Sequence, residues 1–191
     1  QYVQNSRGKF EIAVLSAFEQ VLLDVRRLAW DLSLFTTTEF GFVSLPPSMT
    51  TGSSIMPNKQ NPDVVELLRA AYACVAGARV EIAATLGLPS GYHRDLQATK
   101  RPFLTAVEQA LRAVFVAARV VRAFVVHPER MRGAIDHAMH ATDRAVEQAL
   151  SGVPFRDAYR QVGGDLQGGD GRTPEESLRA RVSPGAPADL G

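Results

Sequence analysis

With one cysteine, one tryptophan and a net charge of only +1, this 191-residue chain has few of the features that declare a function outright. The lone Cys74 allows neither a disulfide framework nor zinc-ligand spacing. It lies within an apolar helical pattern, where a thiol is expected to be buried and inert, which fits a reducing cytoplasm. Nowhere do about 18 apolar residues follow one another without interruption, so no membrane span is expected. Residues 1–30 lack the basic start, apolar stretch and small-residue cleavage site of an export signal. The 21 Lys and Arg are scattered among 20 acids, without the basic field that nucleic-acid binders carry. What remains is ordinary globular composition, 46% hydrophobic and 21% charged, enough for one generous domain or two small ones. The chain opens on Gln1 and enters an amphipathic pattern within ten residues, so a fragment of a longer protein is expected.

The apolar pattern is helical. From about Phe10 to Thr37, Phe10, Ile12, Val14, Leu15, Phe18, Val21, Leu22, Val25, Leu28 and Leu32 keep helix spacing with neither Gly nor Pro between them. A second helix is expected from about Pro62 to Leu86, with Asn61 as N-cap and Gly87 and Pro89 as its stop. A third is expected from about Leu96 to Val126, bent or restarted at Pro102. Helices of about 25 to 28 residues reach roughly 40 Å and need neighbours along their whole length. The run from Val64 to Ala76 is apolar on most sides, so burial by further chain or by other subunits is expected. After His127-Pro128 the pattern shortens to helices near 128–135, 142–150, 154–162 and 174–182. Gly163-Gly164 and Gly168–Gly171 read as joints, and residues 183–191 as a loose tail. The expected fold is all-α: a long-helix bundle over residues 1–126, then a small helical domain over 127–191.

Between the first two long helices lie some twenty residues without clear periodicity, about 39 to 61, and connections of that length are usually functional lids or disordered. Prolines 46, 47, 57 and 62 argue for defined geometry. Within this connection, Gly52-Ser53-Ser54-Ile55-Met56-Pro57-Asn58-Lys59-Gln60-Asn61-Pro62-Asp63 concentrates two hydroxyls, a cation and an amide. Such a set can bind an anion. A serine is a poor base at its ordinary pKa, and a nearby ammonium such as Lys59 favours its ionised form. The plain structural alternative is a capped helix preceded by a Gly/Ser/Pro loop.

Gly52-Ser53-x-x-Met56-x-x-Lys59-x-Asn61 resembles the signature of the fumarase, aspartase and argininosuccinate lyase superfamily. Gly87-Leu88-Pro89-Ser90-Gly91-Tyr92-His93-Arg94-Asp95-Leu96-Gln97-Ala98-Thr99-Lys100 is similar to the segment that follows the signature helix in argininosuccinate lyases. There a Tyr, a Gln five later and a Lys three after that contact substrate, a spacing that Tyr92, Gln97 and Lys100 keep. Ala141-Thr142-Asp143 and Gly152–Ala158 also resemble that family's C-terminal domain, so the likeness covers nearly the whole chain.

The resemblance implies reversible elimination of argininosuccinate to arginine and fumarate, without metal or organic cofactor. It implies Ser53 as the base, Lys59 and Asn61 as stabilisers of the carbanion, and Ser54 as a further substrate contact. Glu66 would pair with a histidine elsewhere in the enzyme. It also implies a homotetramer in which each active site draws on three subunits, so that 1–126 is the second half of a central helical domain and the chain alone lacks a complete site. Departures from the pattern are Arg7-Gly8-Lys9-Phe10, where an Arg-Asp pair is usual, Trp30 in place of a common acid, and His93 where Asn is frequent. His137 and His140, flanked by Asp136 and Asp143, lack a third ligand pattern, and no metal is expected there. His127 is read as a helix end. Two other readings stay open: an adenylosuccinate lyase-like or aspartase-like member of the superfamily, or a non-catalytic, crystallin-like scaffold.

Overall fold

The computed structural model describes residues 1–168 and 171–189 and divides the chain into two compact units, 1–127 and 128–191. Two expectations fall partly elsewhere: the middle of the Gly168–Gly171 joint and the last two residues of the tail lie outside the described residues. Among the described residues no helix is long and apolar enough to cross a membrane.

The first unit is a three-helix bundle. After a short α1 (Tyr2–Asn5), α2 (Lys9–Phe35), α3 (Asp63–Thr85) and α4 (Lys100–Ala123) pack side by side, and a 3-10 turn, Arg94–Thr99, leads into α4. Each long helix buries one stripe at helical spacing: Leu15, Leu22, Ala29 and Leu32 on α2; Val65, Leu68, Val75, Ala78 and Ile82 on α3. On α4 the buried face is small, with Ala106, Ala110, Ala113 and Ala117 beside Val120, which lets the helix axis approach its neighbours closely. Glu19 on the buried stripe of α2 accepts from Arg79 Nε of α3 at 2.8 Å. That bond, and then the carboxylate's charge, raise the Arg79 guanidinium above its ordinary pKa.

Several boundaries differ from the sequence reading, each for a local reason. Asn61 does not cap α3. Pro62 occupies that position without a side-chain cap, and its carbonyl accepts from the N–H groups of Val65 and Glu66. The helix expected from Leu96 does restart: the 3-10 turn Arg94–Thr99 gives way to α4 at Lys100, and Pro102 sits in its first turn, where a missing N–H goes unnoticed. Val43–Ser44 (β1) pairs antiparallel with Val125–Val126 (β2), tying the long connection to the far end of α4. His127 follows a strand rather than a helix; its N–H donates to the Phe42 carbonyl at 2.9 Å, and its Nε2 lies 2.9 Å from Ser44 Oγ. Phe35, Phe40 and Phe42 cluster nearby, two pairs edge-on and the Phe35–Phe42 pair tilted, with centroids 5.4 to 6.2 Å apart. Cys74 is exposed rather than buried, because the buried stripe of α3 passes through Val75 and leaves its neighbour outside. The same holds for Leu67 on α3 and Leu104 and Phe115 on α4, exposed at 71%, 65% and 64%.

Gly8 is the hinge between α1 and α2. It is buried, holds φ +83°, and a Cβ there would run into the side chain of Leu86. Gly8→Ala is expected to cost about 1–2 kcal/mol from the left-handed backbone alone, lowering the midpoint of chemical denaturation. An unchanged midpoint would show that the turn relaxes freely.

In the second unit, α5 (Pro128–Gly133) and a 3-10 turn, His137–His140, precede α6 (Ala141–Leu150) and α7 (Phe155–Gly164), which form a hairpin; α8 (Pro174–Arg179) follows. Asp143 collects the Ser177 hydroxyl at 2.8 Å and Arg181 at 3.1 Å. His140 is buried with Nδ1 3.9 Å from the same carboxylate, and His137 is exposed. Thr173 and Glu176 cap α8 reciprocally; the Thr173 N–H, and then its hydroxyl, hold the Glu176 carboxyl below the usual range. Residues 183–189 form turns closed by a bridge between Ala186 and Asp189.

Candidate active site

The signature loop is a closed structure. An antiparallel bridge joins Thr51 and Asn61, Thr51 N–H donating to the Asn61 carbonyl at 3.0 Å and Asn61 N–H returning to Thr51 at 2.8 Å. Below the bridge, the Thr51 hydroxyl donates to the Asp63 carboxylate in the first turn of α3, so the loop is anchored directly to the helix end. Asn61 therefore closes the loop through its backbone.

Inside the loop, Ser53 Oγ accepts hydrogen bonds from the N–H groups of Ile55 and Met56, both at 3.2 Å. Two donors aimed at one oxygen favour negative charge on it, as they would at an oxyanion. Ser53 is half-buried, while Ser54 and Lys59 are exposed. Lys59 N–H donates to the Met56 carbonyl at 3.1 Å, which turns the chain back toward the bridge. Glu66 is exposed in the first turn of α3, directly beyond the loop. At the loop tip Ile55 is 87% exposed, more than any other large apolar side chain described. Ser53, Ser54, Lys59, Asn61 and Glu66 thus gather at one end of the bundle.

Tyr92, Gln97 and Lys100 gather at the other end. Gln97 Nε2 donates to the Tyr92 hydroxyl at 2.6 Å, so the five-residue spacing reflects a direct contact. With its oxygen accepting from Gln97, the Tyr92 hydroxyl is free to donate outward, and the residue is 49% exposed. Lys100 opens α4 and is exposed. The two sets are separated by the whole of α3, whose 23 residues span about 34 Å at 1.5 Å per residue. Both sets belong to the first unit, at opposite ends of its bundle.

Two further residues, Asn5 and Arg7, belong to this second end. Asn5 Oδ1 accepts from the Gly91 N–H at 2.9 Å, and the Arg7 guanidinium lies over the Tyr92 ring, 5.8 Å from its centroid. Together with Gln4, Lys9, Leu86, Leu88 and Ser90 they line a cleft of about 330 Å³. Arg7 stood out in the sequence only as a departure from a pattern. Nothing in the sequence marks Asn5, whose partner is 86 positions away.

Comparison with known proteins adds the following. A family model described as "Lyase" matches residues 5–77. The chain is 56% identical to the argininosuccinate lyase of Xanthomonas campestris pv. campestris (strain B100) over 99% of its own length and 44% of that relative. It is likewise 56% identical to the argininosuccinate lyase of Stenotrophomonas maltophilia (strain R551-3), with the same coverage. The chain thus spans less than half the length of the curated relatives it matches. Among solved structures, an EDDS lyase in complex with formate superimposes with a TM-score of 0.69 at 24% identity, over 91% of this chain and 42% of that one. This likeness supports the predominantly helical fold.

Proposed function

Over 99% of its length this chain is homologous to argininosuccinate lyases, and from that premise we propose that it supplies the signature loop and the Tyr92 segment of a carbon–nitrogen lyase. That enzyme splits argininosuccinate into arginine and fumarate. The observation that carries the reading is Ser53, whose Oγ accepts two backbone N–H groups inside a loop closed at its base.

The ionised Ser53 oxygen removes a proton from the carbon beside a substrate carboxylate. Its charge is favoured by the Ile55 and Met56 N–H groups and by the Lys59 ammonium in the same loop. The electron pair left on carbon spreads into the adjacent carboxylate, where Lys59 and Asn61 stabilise it. Collapse of that pair forms the double bond of fumarate and expels the guanidino nitrogen of arginine. The nitrogen takes a proton from a group outside this chain, a histidine tuned by Glu66. Ser54 contacts the substrate beside the base. At the opposite end of the bundle, Tyr92 donates from its hydroxyl to a substrate oxygen, with Gln97 and Lys100 beside it. No metal or organic cofactor takes part.

A separation of about 34 Å between the two residue sets cannot be bridged by one small substrate. Each site therefore takes its loop from one subunit and its Tyr92 segment from another, in a homotetramer whose further contacts cover Leu67, Leu104 and Phe115. The complete enzyme is expected to raise ultraviolet absorbance, as fumarate forms, when given argininosuccinate. Fumarate from adenylosuccinate and none from argininosuccinate would reassign the substrate while leaving the proton-abstraction chemistry intact.

A further inference from the structure

We propose that Asn5 is a positioning residue, one that fixes the turn carrying Tyr92 and thereby sets how tightly that end of the site holds substrate. The proposal rests on reading Tyr92, Gln97 and Lys100 as substrate contacts.

From the end of α3 to the 3-10 turn beginning at Arg94, the chain has no regular structure of its own. Local bonds shape this stretch: Leu88 N–H to the Leu86 carbonyl at 2.8 Å, and His93 Nε2 3.3 Å from the Ser90 carbonyl. Neither bond attaches it to the bundle. At its start the Leu86 and Gly87 N–H groups still bond the Ala83 and Ala84 carbonyls of α3, and at its end Gln97 holds the Tyr92 hydroxyl; between them, attachment comes from residues 5–8. Asn5 Oδ1 takes the Gly91 N–H, Arg7 covers the Tyr92 ring, and Gly8 leaves room for Leu86. Three contacts from four consecutive residues, all to the segment 86–92, make residues 5–8 a clasp.

Within that clasp Asn5 acts where the backbone is most permissive. Gly91 holds φ +106° with no atom near enough to block a Cβ, so packing does not dictate its conformation. The hydrogen bond to Asn5 selects it from several accessible ones. Tyr92 is the next residue, and the direction of its ring follows from the Gly91 dihedrals. Without the bond, the turn samples orientations in which the Tyr92 hydroxyl and its Gln97 partner no longer face substrate together. That lowers the fraction of enzyme ready to bind while leaving the proton-abstracting loop, at the other end of the bundle, untouched.

The expected signature is therefore a defect in binding more than in turnover. In the complete enzyme, Asn5→Ala is expected to raise KM for argininosuccinate about fivefold, the scale of one hydrogen bond, with kcat falling by a smaller factor. Amide exchange in the peptide covering residues 87–92 is expected to accelerate by a comparable factor. Asn5→Asp keeps an acceptor of the same reach and is expected to hold both quantities within about twofold of the unsubstituted enzyme. Because Asn5 is exposed, neither substitution threatens folding. Unchanged exchange in Asn5→Ala, or equal defects in the Ala and Asp variants, would overturn the proposal. Exchange is read without turnover: if the unsubstituted enzyme releases no fumarate from argininosuccinate, the substrate reading fails, and exchange still decides whether Asn5 holds the turn.

Discussion

Ser53→Ala in the complete enzyme is expected to lower kcat for fumarate release by about 10³-fold or more while the assembly stays folded, because the substitution removes the base itself. The energetic cost to the fold is small. Residues 50–61 contribute nothing to the hydrophobic core, and the side chain of Ser53 bonds only to its own loop. The two N–H groups it would abandon belong to Ile55 and Met56, which are exposed and can turn to water. Neighbouring Ser54 is poorly placed to substitute, being exposed without the paired donors that make an ionised oxygen affordable. An unaltered thermal transition together with lost turnover is the expected pair of results. Retained turnover would mean that another group removes the proton.

How much of this was legible beforehand differs from element to element. The long helices were, because Leu15, Leu22 and Leu32, or Val65, Val75 and Ile82, repeat at helical spacing with no proline between them. Which faces of those helices are covered was not. Periodicity reports that a face is apolar, and Cys74 lies on an apolar face that no helix of this unit covers. The pairing of Val43–Ser44 with Val125–Val126 left no trace, since a two-residue strand is too short to alternate and its partner lies far along the chain. Asn61 looked like a helix cap by residue type, but its backbone is committed to Thr51 and the helix begins beyond Pro62.

The candidate site divides in the same way. Serine, lysine and asparagine in a Gly/Pro-bounded loop, and tyrosine, glutamine and lysine at fixed spacing, were visible as residue types. The two N–H groups on Ser53 Oγ were not, because they depend on loop dihedrals. Nor was the contact of Asn5 with Gly91, which depends on the antiparallel course of α2 and α3 bringing residue 5 beside residue 91. The most consequential feature, the placement of the two residue sets at opposite ends of the bundle, follows from the length of α3 once the fold is known.

That placement yields the second large effect. A Ser53→Ala enzyme and a Gln97→Ala enzyme should each be nearly inactive, since each lacks one end of every site. If a site takes its loop from one subunit and its Tyr92 segment from another, mixed assemblies contain sites in which both contributions are intact. In equal, random mixing each contribution is intact half the time, so about one quarter of sites recover. Subunit exchange between the two variants, followed by a fumarate-release assay, therefore tests the division of the site most directly. The account predicts that turnover rises from near zero to about one quarter of the unsubstituted enzyme's as the subunits mix. Turnover that stays at the level of the separate variants, in assemblies shown to have exchanged subunits, would contradict it by placing both residue sets of each site on one chain.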